Sequence, residues 1–431
     1  MGVAAGEPVP LRRNRDFQLL WGGQAVSLLG SQTARIAYPL LVLAMTGSPA
    51  KAGIAGFAAM LGYLLFPLPA GGLADRHDRK RIMIACDAVR LAAVASIAVA
   101  YWAAHLTYAQ ILVAGFVEGS ATIFFNLAER AALPMLVHPS HRSAAVGQNE
   151  ARSNVAQLAG PPLGGALFGL SRAAPFAADA LSYLASLATL PFIRTPMQAA
   201  RPGAAAAAPR DLRAELREGL AFTWRQPFLR YISLFAAAVN ILLQVVVLGL
   251  IVLGRHDGAS PAEIGVIVGC MGAGGIAGAL VAPWFQRRIP AGLTITGILW
   301  IWAALLAVIA VVHAAVWLCP VVAVFGFVGP AWNVSAQTFR MQITPNELMG
   351  RTSSVSLQVA WGVIPLGSLL AGFLLQILSP PAAMGVVAGG MAVTAAAATV
   401  LAPVRNAGRK TPGASGETGP ATAAGAPQPA G

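Results

Sequence analysis

Six ionisable side chains, Arg35, Asp87, Arg90, Glu118, Arg152 and Asp179, stand inside long apolar runs of this 431-residue chain. A charge facing lipid is costly unless it is paired or meets water, so such residues either hold helices together or bind and pass ions. Carboxylates in that setting suit reversible proton binding, and arginines suit pairing or contact with an anion. At about 1.5 Å of rise per residue, Arg35 and Glu118 fall roughly 15 and 16 Å below the same face of the membrane, so the two are expected to meet. Asp87, Arg90 and Arg152 fall nearer the opposite face and read mainly as a structural network. Asp179 has no evident partner.

The elements that must position these groups are membrane helices. Hydrophobic residues make up 57% of the chain and charged ones 10%, against about 25% charged in a soluble domain. Twelve segments reach the roughly 20 apolar residues that cross a bilayer. The net charge of +13 would suggest nucleic acid in a soluble protein, but the basic residues are dispersed among the connections. Twenty-three Lys and Arg fall on the side of the amino terminus and three, Lys51, Arg172 and Arg255, on the other. That asymmetry places both termini in the cytoplasm and excludes a nucleic-acid partner.

Residues 194–227 form the one long polar interruption, linker-like at its start and with an amphipathic helix expected over Asp211–Ala221. The expected organisation is therefore an all-α membrane protein. A cytoplasmic segment (1–16) is followed by six helices (17–193), the connection (194–227), six more helices (228–402) and a disordered cytoplasmic tail (403–431). The halves echo one another, since Pro162-Leu163-Gly164 in the fifth span recurs as Pro365-Leu366-Gly367 in the eleventh. Cys86, Cys270 and Cys319 lie in apolar runs and read as small hydrophobes, and the histidines lack ligand spacing, so no metal or cofactor is expected.

Two motifs carry a resemblance. The turn "GGLADRHDRKR", residues 71–81, resembles the signature loop between spans two and three of the major facilitator superfamily, through Gly71, Leu73, Ala74, Asp75, Arg76, Arg79 and Lys80. Asp78 stands where many members have glycine, as in the exporter branch that includes the enterobactin exporter and macrolide efflux proteins. "GPPLGG", Gly160–Gly165, resembles the fifth-span motif of antiporters, with Gly160, Pro161, Gly164 and Gly165 in register and Ala156 where that motif has an upstream glycine.

The resemblance implies twelve helices in two pseudo-symmetric bundles, no enzymatic activity, and proton-driven export of a small amphipathic compound, by a monomer in contact with lipid in a bacterial plasma membrane. A proton-coupled uptake symporter, and more remotely a membrane sensor, are the alternatives. Spans one, four, seven and ten line the cavity in that superfamily. The resemblance thus puts Glu118 and Arg35 on the proton or substrate path, Glu118 binding the proton and Arg35 tuning it; a static salt bridge is the competing reading.

Gln24, Gln32, Tyr38, Asn240, Gln244, Trp332 and Asn333 are candidate substrate contacts on the same helices, with helix packing as the alternative for each. For the signature turn, Gly71 and Gly72 are expected to let two helices approach closely at the inner mouth. Asp75 is expected to engage the start of span eleven near Arg351, Thr352 and Ser353, as a latch, and the cations to anchor the loop to lipid phosphates. A plain topology signal is the alternative. "GPPLGG" is expected to be a packing seam that bends or slides.

Overall fold

The computed structural model describes residues 10–198, 212–312 and 315–408. The segment 1–9, the Pro/Gly/Ala-rich start of the connection at 199–211, and the tail from 409 lie outside the described residues.

Among those described, regular structure is helical throughout, apart from two short 3-10 turns. The first half runs α1 (Arg15–Thr46), α2 (Pro49–Leu65), α3 (Pro67–Arg76), α4 (Arg79–Trp102), α5 (Tyr108–Leu136), α6 (Arg142–Leu170) and α7 (Ala174–Thr189). The expected amphipathic helix is α8 (Leu212–Arg225). The second half runs α9 (Pro227–His256), α10 (Pro261–Arg288), α11 (Ala291–Val311), α12 (Ala315–Ile343), α13 (Asn346–Gly362), α14 (Ile364–Ile377), α15 (Pro380–Val400) and the short α16 (Ala402–Arg405). Nine of these stretches, α13 and α14 counting as one, are long and apolar enough to cross a membrane. The other three expected crossings coincide with α2 plus α3, with the more polar α6, and with α7.

Local chemistry sets the ends. The Asn14 side chain accepts from the Phe17 amide at 3.0 Å to start α1, and Gly47, at φ 65°, turns the chain at its other end. Ser260 and Glu263 form a reciprocal capping box on α10. Prolines divide two spans: Pro67 follows the break between α2 and α3, and Pro365 follows that between α13 and α14. Proline has no N–H to continue the ladder, so carbonyls in the preceding turn need other donors. The Asn240 side-chain amide supplies one, donating to the Ala360 carbonyl at 2.9 Å.

Within the first half α1 packs on α6 and α7, and α4 on α5 and α7; within the second, α9 packs on α14 and α15, and α10 on α12. The halves meet mainly through two pairs, α2 with α14 and α6 with α10. If span n corresponds to span n+6, the first pair maps onto the second, as a twofold relation requires. The repeated Pro-Leu-Gly carries the same relation. A Cβ on Gly164 would strike the Thr33 backbone of α1, and one on Gly367 would lie 2.9 Å from the Ile241 backbone of α9.

Both inter-half pairs close at the end remote from the 71–81 turn. The Cβ position of Gly53 lies 2.6 Å from the Gly372 Cα, and that of Gly165 lies 3.1 Å from the Gly265 Cα, so any side chain there would push the halves apart. The Cβ positions of Gly71 and Gly72, at the other end, have no atom within 4 Å. The close approach expected of these two glycines is therefore absent here; the nearest contacts between the halves on this side are those of Tyr63 with Trp361 and of Gln358 with the Leu64 carbonyl.

The tail expectation is corrected at its start. Val404 is fully buried, and the Gly292 amide donates to the Ala407 carbonyl at 2.9 Å. Residues 403–408 are packed on α11, because Val404 and Ala407 complete the apolar surface around Gly292.

Candidate functional site

A polar network lies among α1, α4, α5 and α7. On α7, Asp179, Ser182, Tyr183 and Ser186 are spaced i, i+3, i+4, i+7, which places all four on one helix face, and all four are buried. Toward α4, the Asp87 carboxylate pairs with Arg90 and accepts from the Ser186 hydroxyl at 2.6 Å. Ser186 in turn accepts from the Gln24 amide at 2.7 Å. The Arg90 guanidinium lies between two rings, 4.3 Å from the Phe125 centroid and 4.6 Å from that of Tyr183. Pair, hydroxyl and rings together replace the water that a buried cation and anion lose.

Tyr183 joins this structural end to Glu118. Its hydroxyl donates to Glu118 Oε1 at 3.0 Å, while the Tyr38 hydroxyl donates to Glu118 Oε2 at 2.5 Å. Ser31 Oγ lies 2.8 Å from the Tyr183 hydroxyl and 3.4 Å from Asp179 Oδ1. Closer to the 71–81 turn, Arg152 pairs with Glu129 at 2.9 Å.

Glu118 is half-buried at this centre, as expected, but its partners differ. The expected contact with Arg35 is not formed: Arg35 is exposed and donates to Gln32 Oε1 at 3.4 Å. Equal depth does not guarantee facing side chains, and α1 turns Tyr38, not Arg35, toward Glu118. Mid-span exposure of a charged side chain is tolerated where it lines water, so Arg35, Gln32 and the exposed Asn333 remain cavity candidates.

Other proposed contacts are taken up by packing. Gln24 belongs to the buried network, and Asn240 serves the Ala360 carbonyl. Gln244 donates to Ser368 Oγ at 3.0 Å and to the Met60 sulfur at 3.4 Å, tying α9 to α14 and α2. Trp332 is buried with its ring centroid 6.0 Å from that of Trp302, inside the second half.

The signature turn is stitched to its own half. Asp78, the departure from glycine, caps α4 by accepting from the Lys80 amide at 2.9 Å and the Arg81 amide at 3.4 Å. Arg79 donates to the carbonyls of Ala131 and Met197 at 2.8 and 3.1 Å, and Lys80 to those of Pro191 and Ile193, both at 2.9 Å. These two cations therefore hold helix and strap carbonyls where lipid phosphates were expected; Arg76 is exposed. The side chain of Asp75 lies outside the described residues. Arg351 sits in the second turn of α13, paired with Glu218 of α8, a contact that the sequence did not suggest.

In "GPPLGG" the glycines serve both faces of α6. Gly160 and Gly164 admit the backbone of α1 at Gln32 and Thr33, whereas Gly165 admits α10 at Pro261 and Gly265.

The fold and this site define a helical membrane protein with many spans. The family model described as transmembrane secretion effector matches residues 6–415, and the chain belongs to that family of the major facilitator superfamily. It is 28% identical over 353 residues to the multidrug efflux pump Tap of Mycobacterium tuberculosis, covering 80% of this chain and 83% of that one. Macrolide efflux protein A of Streptococcus pyogenes is 25% identical over 364 residues, covering 82% and 88%. Among solved structures, the nucleoside transporter NupG superposes with TM-score 0.71 at 15% identity, covering 90% of this chain and 98% of that one. A bacterial homologue of the iron transporter ferroportin, in an inward-facing state, gives 0.68 at 16%, covering 91% and 98%. The likeness to these two structures is one of fold.

Proposed function

We propose that this chain exports an amphipathic small molecule across a bacterial inner membrane by alternating access, in exchange for protons taken up at Glu118. The observation that carries the reading is the Glu118 carboxyl, held mid-membrane by tyrosine hydroxyls from α1 and α7 and half-buried, so that a proton can reach it. Likeness to efflux pumps over 80–82% of this chain and the antiporter-type "GPPLGG" seam support the direction.

With the basic face cytoplasmic, the closed glycine contacts lie outside and the open Gly71 and Gly72 inside, so the conformation is inward-facing. Transport then requires α2 to part from α14 and α6 from α10, while the turn at 71–81 closes with Asp75 as part of the seal. The two bundles, 17–193 and 228–402, move about the central site in a monomer surrounded by lipid. Gln32, Arg35 and Asn333 are the side chains offered to cargo.

The test is accumulation of a compound panel that includes macrolides in the lumen of everted vesicles, whose cytoplasmic face is turned outward. Glu118→Gln should insert normally and bind cargo, yet lose its response to an imposed pH gradient. An unchanged gradient response in that variant rejects the coupling, and accumulation in the opposite direction rejects export.

A further inference from the structure

We propose that Asp179 and Glu118 are the two ends of a proton wire whose links are the hydroxyls of Ser31 and Tyr183. The proposal extends the reading of Glu118 as the proton site, and its geometry stands on three successive contacts. Asp179 Oδ1 lies 3.4 Å from Ser31 Oγ, Ser31 Oγ lies 2.8 Å from Tyr183 Oη, and Tyr183 Oη lies 3.0 Å from Glu118 Oε1. Each is within hydrogen-bond reach, and the chain crosses from α7 through α1 and back through α7 to α5.

The surroundings of Asp179 give the wire a direction. The residue is fully buried, and its Oδ2 is a buried oxygen with no hydrogen-bond partner. Among the described residues its hydroxyl donors are two serines, each with a competing acceptor, and the Glu118 side chain also lies within hydrogen-bond reach of the Asp179 carboxyl. Ser182 Oγ is 2.7 Å from the Asp179 carbonyl and 3.2 Å from Oδ1, and Ser31 Oγ is 3.0 Å from the Ser27 carbonyl. A bare carboxylate there would be poorly satisfied, whereas a carboxylic acid supplies the donor that the chain lacks.

Glu118 of α5 faces it directly, so direct transfer between the two carboxyls is the alternative that wild-type exchange in Tyr183→Phe would reveal; the other charged and titratable groups on the packed helices are engaged elsewhere. Arg90 of α4 is paired with Asp87, Tyr38 of α1 is bonded to Glu118, and Arg152 of α6 is paired with Glu129. Cys86 of α4 is buried beside the same pair.

The transfer balances link by link. Asp179 gives its proton to Ser31 Oγ, Ser31 gives its own to Tyr183 Oη, and Tyr183 gives its own to Glu118 Oε1. Asp179 ends as the carboxylate and Glu118 as the acid, with both hydroxyls restored. Asp179 is thus a proton store sealed from water, and Glu118 is its port to the cavity.

The experiment needs no cargo. Full-length protein in lipid nanodiscs is transferred to D2O, and the carboxylic C=O stretch is followed by infrared spectroscopy. Wild type should show a protonated-carboxyl band that is missing from Asp179→Asn. Tyr183→Phe keeps the ring over Arg90 and should keep the band, but its exchange should slow by about a hundredfold, as expected for loss of one proton-transfer group. Ser31→Ala should slow it likewise and covers the case in which Asp179→Asn fails to fold.

A band unchanged in Asp179→Asn, or wild-type exchange in Tyr183→Phe, overturns the wire. An unchanged response to the pH gradient in Glu118→Gln with the exchange results intact would overturn the coupling role instead, so the two failures are separable.

Discussion

The two halves of this transporter share a fold and differ in what fills it. Inside the first, Asp87, Arg90, Glu118, Glu129, Arg152 and Asp179 lie within spans, joined by ion pairs and hydroxyls. In the second, the stretches 231–254, 264–286, 289–312, 314–339 and 352–404 contain no Asp, Glu, Lys or Arg. Its interior is instead built on contacts such as Trp302 with Phe325 and Trp332, with ring centroids 5.5 and 6.0 Å apart. The backbone geometry is repeated, and the ionisable groups within spans are confined to one half of it. In the proposed cycle, a half that takes up protons moves against one whose spans carry almost no charge.

Substitutions in the two halves should separate these roles. The largest effect is expected from Arg90→Ala, which leaves Asp87 buried without its partner; about 3–5 kcal/mol should be lost, read as a lower midpoint in thermal unfolding of detergent-solubilised protein. In the second half, Asn240→Ala removes a neutral donor from the Ala360 carbonyl and should cost about 1–3 kcal/mol in the same assay, with the response to a pH gradient retained. A loss of gradient response in that variant would break the division of labour. The smallest effect belongs to Glu218→Ala at the rim, where the pair with Arg351 is partly exposed; about 0–1 kcal/mol is expected, shrinking further at high salt.

The architecture was legible in the sequence because bilayer thickness imposes a length and a polarity on every span, and two motifs named the superfamily. Glu118 was legible for a related reason, as an acid in an apolar run. Its partners were not. Depth arithmetic paired it with Arg35, but helix rotation decides which side chain faces inward, and that is set by packing of α1 against α6 and α7.

The Asp179, Ser182, Tyr183, Ser186 stripe was a readable signal, polar residues at helical spacing on one face, and it would have identified Tyr183. Trp332 and Asn240 pack within their own bundle, the alternative stated for each, because a large or polar side chain on such a helix can equally face its neighbours. The Glu218 contact depended on where the connecting helix docks, which no local pattern encodes.

The placement of Asp87 and Arg90 three residues apart on α4 also bears on how the protein is made. Opposite charges on one helix can neutralise each other as that segment leaves the translocon, so α4 can enter lipid before any later helix exists. Glu118 and Asp179 sit on different segments, and Glu118 acquires the Tyr183 hydroxyl only when α7 arrives, which makes completion of the first six crossings the step at which this buried network is assembled.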